Sequence, residues 1–122
     1  MNTNKQNFNI FKEYIIENSL FTKRQFSIIL KGLNKIDFQE NISSGAYYRQ
    51  IKQCRRKIIR ILYSIIMLEY IEAIDPQTLD MLNRVSTQLD IMLQESHSDT
   101  ESTKLNDVIH MLSAITERLC IL

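Results

Sequence analysis

Ten side chains in this sequence have the types and spacing to hold an anionic polymer: Lys23, Arg24, Ser43, Ser44, Tyr48, Arg49, Lys52, Gln53, Arg56 and Arg60. Positions 49, 52, 56 and 60 recur every three or four residues, the repeat that brings side chains onto one face of a helix. Arginine presents a planar fork of donors that matches a phosphate or the O6/N7 edge of guanine, and glutamine can do the same for adenine. Lysine acts as a point charge. A serine just ahead of a helix adds a hydroxyl beside backbone N–H groups that have no partner within the helix.

The residues that catalysis or metal binding would require are not grouped in this way. His97 falls in a polar run and His110 in an apolar-periodic one, with no cysteine or carboxylate at ligand spacing. Cys54 and Cys120 form no C-x-x-C pair and suggest neither a disulfide framework nor a zinc site; both read as small apolar core residues. There is no Gly-rich phosphate loop, nucleophile elbow or paired-carboxylate motif. The expectation is a non-enzymatic protein without cofactor or metal.

The elements that would position the ten residues are helices. A chain of 122 residues would hold about 8 glycines and 6 prolines at average usage, and this one holds 2 and 1. That is too few turn formers for a sandwich, a barrel or a doubly wound sheet. At 44 % hydrophobic and 24 % charged residues the chain can bury a core. The length suits one domain, 1–122, with a polar tail over 1–6. Apolar spacing through Phe8, Phe11, Tyr14/Ile15 and Leu20 predicts a helix from Asn7 to Ser19. Thr22 and Gln25 fit a capping box, and Phe26, Ile29, Leu30 and Leu33 follow on one face, predicting a second helix over Lys23–Asn34. Residues 35–42 read as irregular or as one short turn. Ser43-Ser44 then offers an N-cap, and a third helix is predicted over Ser44–Ala73.

At about 100° per residue, Tyr47, Ile51, Cys54 and Ile58 of this third helix share one face, with Arg49, Lys52, Gln53, Arg56 and Arg60 opposite. Its second half, Ile58–Leu68, is apolar nearly all round, as in a helix wrapped by other helices or by a partner chain. Asp75-Pro76 reads as the start of a fourth helix running to Gln94, Asp as cap and Pro at the first position. Its stripe is Leu79, Leu82, Ser86, Leu89 and Leu93, widened by Met81, Val85 and Met92. The polar run 97–103 reads as an exposed loop. A fifth helix begins near Lys104, with Leu105, Val108, Leu112, Ile115, Leu119 and Leu122 on one stripe. The expectation is an all-α fold of about five helices.

Charge divides the chain unevenly. Residues 1–62 hold 12 Lys/Arg against 4 Asp/Glu, a balance of +8, and residues 63–122 hold 3 against 10, a balance of −7. A basic 7–62 portion and an acidic 63–122 portion of this kind suit a protein whose one half meets a polyanion.

The layout of residues 22–57, a capped helix, a short connection and a helix with a polar start and a basic face, is that of a helix-turn-helix. The stretch Phe21-Thr22-Lys23-Arg24-Gln25-Phe26-Ser27-Ile28-Ile29-Leu30 resembles the opening of the DNA-binding domains of LuxR-type regulators and of region four of bacterial sigma factors. Ile42-Ser43-Ser44-Gly45-Ala46-Tyr47-Tyr48-Arg49-Gln50-Ile51 is similar to the entry of their recognition helix. The 33–41 segment lacks their Glu-Ile-Ala-like middle helix. The resemblance implies duplex DNA as partner, with Ser43 or Ser44 at a phosphate and Tyr48, Arg49, Lys52 and Gln53 facing the major groove. Arg49 and Gln53 would then read bases, while Lys23, Arg24, Arg56, Lys57 and Arg60 hold phosphates.

Taken together these features predict a small cytoplasmic DNA-binding protein, a transcriptional regulator. A homodimer would form through the Ile58–Leu68 and Leu105–Leu122 apolar surfaces. The competing expectations are a helical interaction module that docks an acidic protein, and a nucleoid or RNA-binding protein without sequence preference. No segment reaches the ~20 apolar residues of a membrane span, and the polar Met1–Gln6 start is not that of a secretory signal.

Overall fold

The computed structural model describes residues 2–35, 42–94 and 101–122. Among these described residues it is an all-α fold of five helices: α1 (Asn2–Glu17), α2 (Lys23–Gly32), α3 (Ser44–Tyr70), α4 (Thr78–Gln94) and α5 (Glu101–Leu119). Residues 2–6, expected as a polar tail, are the first turn and more of α1. Residues 36–41 and 95–100 lie outside the described residues. So do His97 and much of the two segments read as loops.

The chain divides into two compact units, one of residues 15–66 and one of 1–14 with 67–122. The division sorts the charge. The 15–66 unit holds 10 Lys/Arg against 3 Asp/Glu, a balance of +7, and the other holds 5 against 11, a balance of −6.

In the 15–66 unit, Thr22 caps α2 with the capping box read from the sequence. Its hydroxyl accepts from the Gln25 N–H at 3.1 Å, and the Gln25 side-chain oxygen accepts from the Thr22 N–H at 2.9 Å. The helix stops at Gly32, two residues before the predicted Asn34, because Asn34 enters the left-handed region (φ 57°). There the Lys35 N–H donates to Leu30 O and the Asn34 N–H to Lys31 O, the pair of bonds that closes a Schellman motif. Among the described residues of this unit, Ile16, Ile28 and Cys54 are buried to 6 % exposure or less. At the α2–α3 contact, a Cβ placed on Gly32 would come within 2.9 Å of Ile51 Cδ1, and the Lys31 ammonium lies 4.4 Å from the centre of the Tyr47 ring.

The other unit is held by α4 against α5. Leu105, Val108, Leu112 and Leu119 of α5 are buried, as are Thr78 and Val85 of α4. The expected Leu105–Leu122 dimer surface is therefore spent inside the chain, apart from its exposed end at Ile121 and Leu122. On α4 the buried face lies to one side of the expected stripe, on its Met81, Val85 and Leu89 edge. Thr78 and Val85 turn inward with half-buried Met81 and Leu89, whereas Leu79 and Leu82 are exposed.

The same unit contains the end of α3, which terminates at Tyr70 instead of Ala73. Glu72 takes a φ of 62°, and its N–H donates to Glu69 O while the Ala73 N–H donates to Leu68 O. The segment after it pairs with the chain beyond α5. Ile74 and Cys120 form an isolated antiparallel bridge, flanked by Asp75 N–H to Leu119 O and Ile121 N–H to Ala73 O, each 2.9 Å. This backbone role leaves the Cys120 side chain exposed, correcting its reading as a core residue. Asp75 acts three residues ahead of α4 as well. Its carboxylate accepts from the Gln77 N–H at 2.8 Å in a turn, and the helix proper begins at Thr78.

Candidate nucleic-acid interface

Ser43, not Ser44, caps α3. Its hydroxyl oxygen accepts from the Ala46 N–H at 3.2 Å, and its carbonyl accepts from the Tyr47 N–H at 2.9 Å. The cap starts the helix with a phase that turns Tyr47, Ile51 and Cys54 inward and leaves Tyr48, Arg49, Lys52, Gln53, Arg56 and Arg60 exposed. Tyr48 is 64 % exposed and meets Tyr47 edge-on, ring centres 5.7 Å apart. Arg49 folds back over the helix start, where its Nη1 would lie 3.7 Å from a Cβ on Gly45.

Within the 15–66 unit the structure brings seven of the ten candidates together on α3: Ser44 at its first position, then Tyr48, Arg49, Lys52, Gln53, Arg56 and Arg60. Among the described residues, Arg49, Lys52, Arg56 and Arg60 make no ion pair with a carboxylate, nor does Arg55, an exposed cation on the same helix that the ten do not include. Lys23 and Arg24 sit exposed in the first turn of α2, behind the Thr22 cap. These two make polar or electrostatic contacts inside the chain.

Lys57, expected at a phosphate, turns the other way. Its ammonium donates to Leu20 O at 2.6 Å and to the Gln25 side-chain oxygen at 3.2 Å, and lies 5.2 Å from the centre of the Phe21 ring. The four-carbon stem lets the charge reach back over the helix from a half-buried Cα position. Beside it, burial raises the Cys54 thiol pKa above its ordinary value, and the Lys57 charge lowers it by less.

The Ile58–Leu68 stretch is wrapped on one side only within the 15–66 unit. Ile59, Ile61 and Ile65 are half-buried, while Leu62, Tyr63 and Ile66 are 54 %, 70 % and 61 % exposed. Ile58, placed with the core face by its spacing, is 40 % exposed.

Between Leu20 and α3 lies an open pocket of about 450 Å³, lined by Leu20, Gln53, Arg56, Lys57, Arg60, Ile61 and Ser64. The sequence offered no sign of it, because Leu20 and Ile61 are separated by forty residues and meet the cations only through the turn between α1 and α2. No group of three His, Cys, Asp or Glu among the described residues could hold a metal ion. No described helix is long and apolar enough to cross a membrane.

Neither a family model, nor a curated protein sequence, nor a solved structure matches this chain.

Proposed function

We propose that the protein binds duplex DNA through the exposed basic face of α3, as a cytoplasmic transcriptional regulator. One observation carries the reading: Arg49, Lys52, Arg55, Arg56 and Arg60 stand on one helix of a unit with a balance of +7 and pair with no carboxylate of the described chain. Cations held apart from acids in this way keep their full attraction for a polyanion and release its counterions on binding. The Ser43 cap and the Ser44 and Gly45 amides at the helix start suit a backbone phosphate. The helix-turn-helix resemblance of residues 22–57 assigns base contacts to Arg49 and Gln53, a forked and an amide side chain one turn apart on the exposed face of α3. The exposed Leu62, Tyr63 and Ile66 further along α3 supply an apolar surface for a second copy, and pairing would let two such helices read two half-sites.

The test is a fluorescence-anisotropy titration with random duplex DNA at two salt concentrations, beside the Arg49→Ala/Lys52→Ala/Arg56→Ala variant. Binding lost in the variant, with a log–log salt slope of roughly −3 to −4 for about four neutralised phosphates, supports the reading. No binding at low salt overturns it and leaves the stripe to an acidic protein. Sedimentation as a monomer at high micromolar concentration would end the dimer part alone.

A further inference from the structure

We infer that the pocket between Leu20 and α3 is a binding site for a small organic anion with an apolar body, such as an alkyl or aryl phosphate or carboxylate. Its α3 wall uses positions 53, 56, 57, 60, 61 and 64, a strip three turns long, roughly 16 Å at the helical rise. The strip is chemically divided. Arg56 and Arg60, one turn apart, bring two guanidinium groups with no carboxylate partner among the described residues, and Gln53 adds an amide donor beside them. Ile61 and Leu20 supply the apolar floor and the facing wall, and Leu20 is 69 % exposed as the chain stands.

Two polar groups are already committed, which narrows what the pocket accepts. The Ser64 hydroxyl donates to Arg60 O at 2.8 Å, leaving the pocket only its acceptor side. Lys57 spends two of its three donors on Leu20 O and Gln25, so it braces the wall and adds positive potential more than it grips a ligand. The strongest free donors, on Arg56 and Arg60, prefer an anion, while the surfaces beside them prefer a hydrocarbon or a ring. A nucleic-acid backbone would use the guanidiniums and leave Leu20 and Ile61 in water, so the apolar walls favour a small amphipathic occupant. About 450 Å³ lies within the size range of small-molecule sites. This site stands whether or not α3 meets DNA.

Isothermal calorimetry of the full chain with octyl phosphate, inorganic phosphate and 1-octanol tests it in the absence of nucleic acid. The expected result is one octyl phosphate per chain, with each of the other two at least tenfold weaker. Arg56→Ala/Arg60→Ala and Leu20→Asn should each weaken octyl phosphate at least tenfold, while Arg49→Ala and Leu62→Asn, on exposed residues outside the pocket, should leave it unchanged. All five substituted positions are solvent-exposed, and circular dichroism checks that each variant keeps its helices. No saturable binding overturns the proposal. So does uptake of several molecules per chain that ignores the pocket variants, since that is detergent-like coating of the exposed apolar residues.

Discussion

The Lys57 ammonium donates to the Leu20 carbonyl oxygen at 2.6 Å across a sequence separation of 37 residues, and also to the Gln25 side-chain oxygen that completes the α2 capping box. One side chain of α3 thus fastens the turn after α1 and the start of α2. Lys57→Met keeps the aliphatic stem over Phe21 and removes the charge. Because the Leu20 carbonyl is exposed and regains water, the expected loss is modest, about 1 kcal/mol. Urea unfolding followed by circular dichroism measures it. An unchanged midpoint would show that the clasp contributes nothing.

Glu72 closes α3 in the left-handed conformation, at φ 62°, a position where a Cβ meets the neighbouring carbonyl. Glycine has no such clash and is the usual residue at this place in a Schellman motif. Glu72→Gly should therefore raise stability by about 1 kcal/mol without moving the Glu69 and Leu68 bonds that end the helix. Thermal unfolding of the two proteins decides it, and a lower midpoint in the variant would contradict the assigned backbone.

The two cysteines separate by accessibility. Cys54 is 2 % exposed and Cys120 lies on the surface. A disulfide reagent at mildly alkaline pH should label one thiol at once and the second only at the rate at which the 15–66 unit opens, slowing further as stability rises. The raised Cys54 pKa fixes a sign as well. The native state holds its proton to higher pH than the unfolded chain does, so the contribution is complete below the unfolded thiol's pKa and is lost as pH climbs through the folded one. Cys54→Ala should flatten that alkaline decline. Two thiols reacting equally fast in the native protein would contradict the buried position of Cys54.

Local chemistry was legible where a side chain declares its partner. Thr22 and Gln25 announced their reciprocal bonds, and the phase of α3 put Arg49, Lys52, Arg56 and Arg60 outside as their spacing required. The ends of α2 and α3 were not legible, since both close on a non-glycine residue in the left-handed region, Asn34 and Glu72, which leaves no glycine to mark the stop. Lys57 lay beyond reach for another reason. Its position counts it among the cations of the helix, and only the turn at Leu20 decides that its long stem bends inward. The pocket shares that dependence on Leu20.

The α4 stripe shows how periodicity finds a face without finding its partner. Leu79 and Leu82 follow the leucine repeat yet are 46 % and 38 % exposed, while Val85 is 7 % and Leu112 of α5 is 8 % exposed. An apolar repeat broader than the contact it makes leaves its edge in water, and α5 meets α4 on the side of Thr78 and Val85. Truncation should separate the two classes. Leu112→Ala removes methyl groups from a closed interior and is expected to cost about 2–5 kcal/mol. Leu79→Ala removes a side chain that is already half hydrated and should cost well under half as much in dilute solution. Should Leu79→Ala prove the more damaging in urea unfolding, and increasingly so with protein concentration, the exposed α4 leucines would belong to a contact between copies.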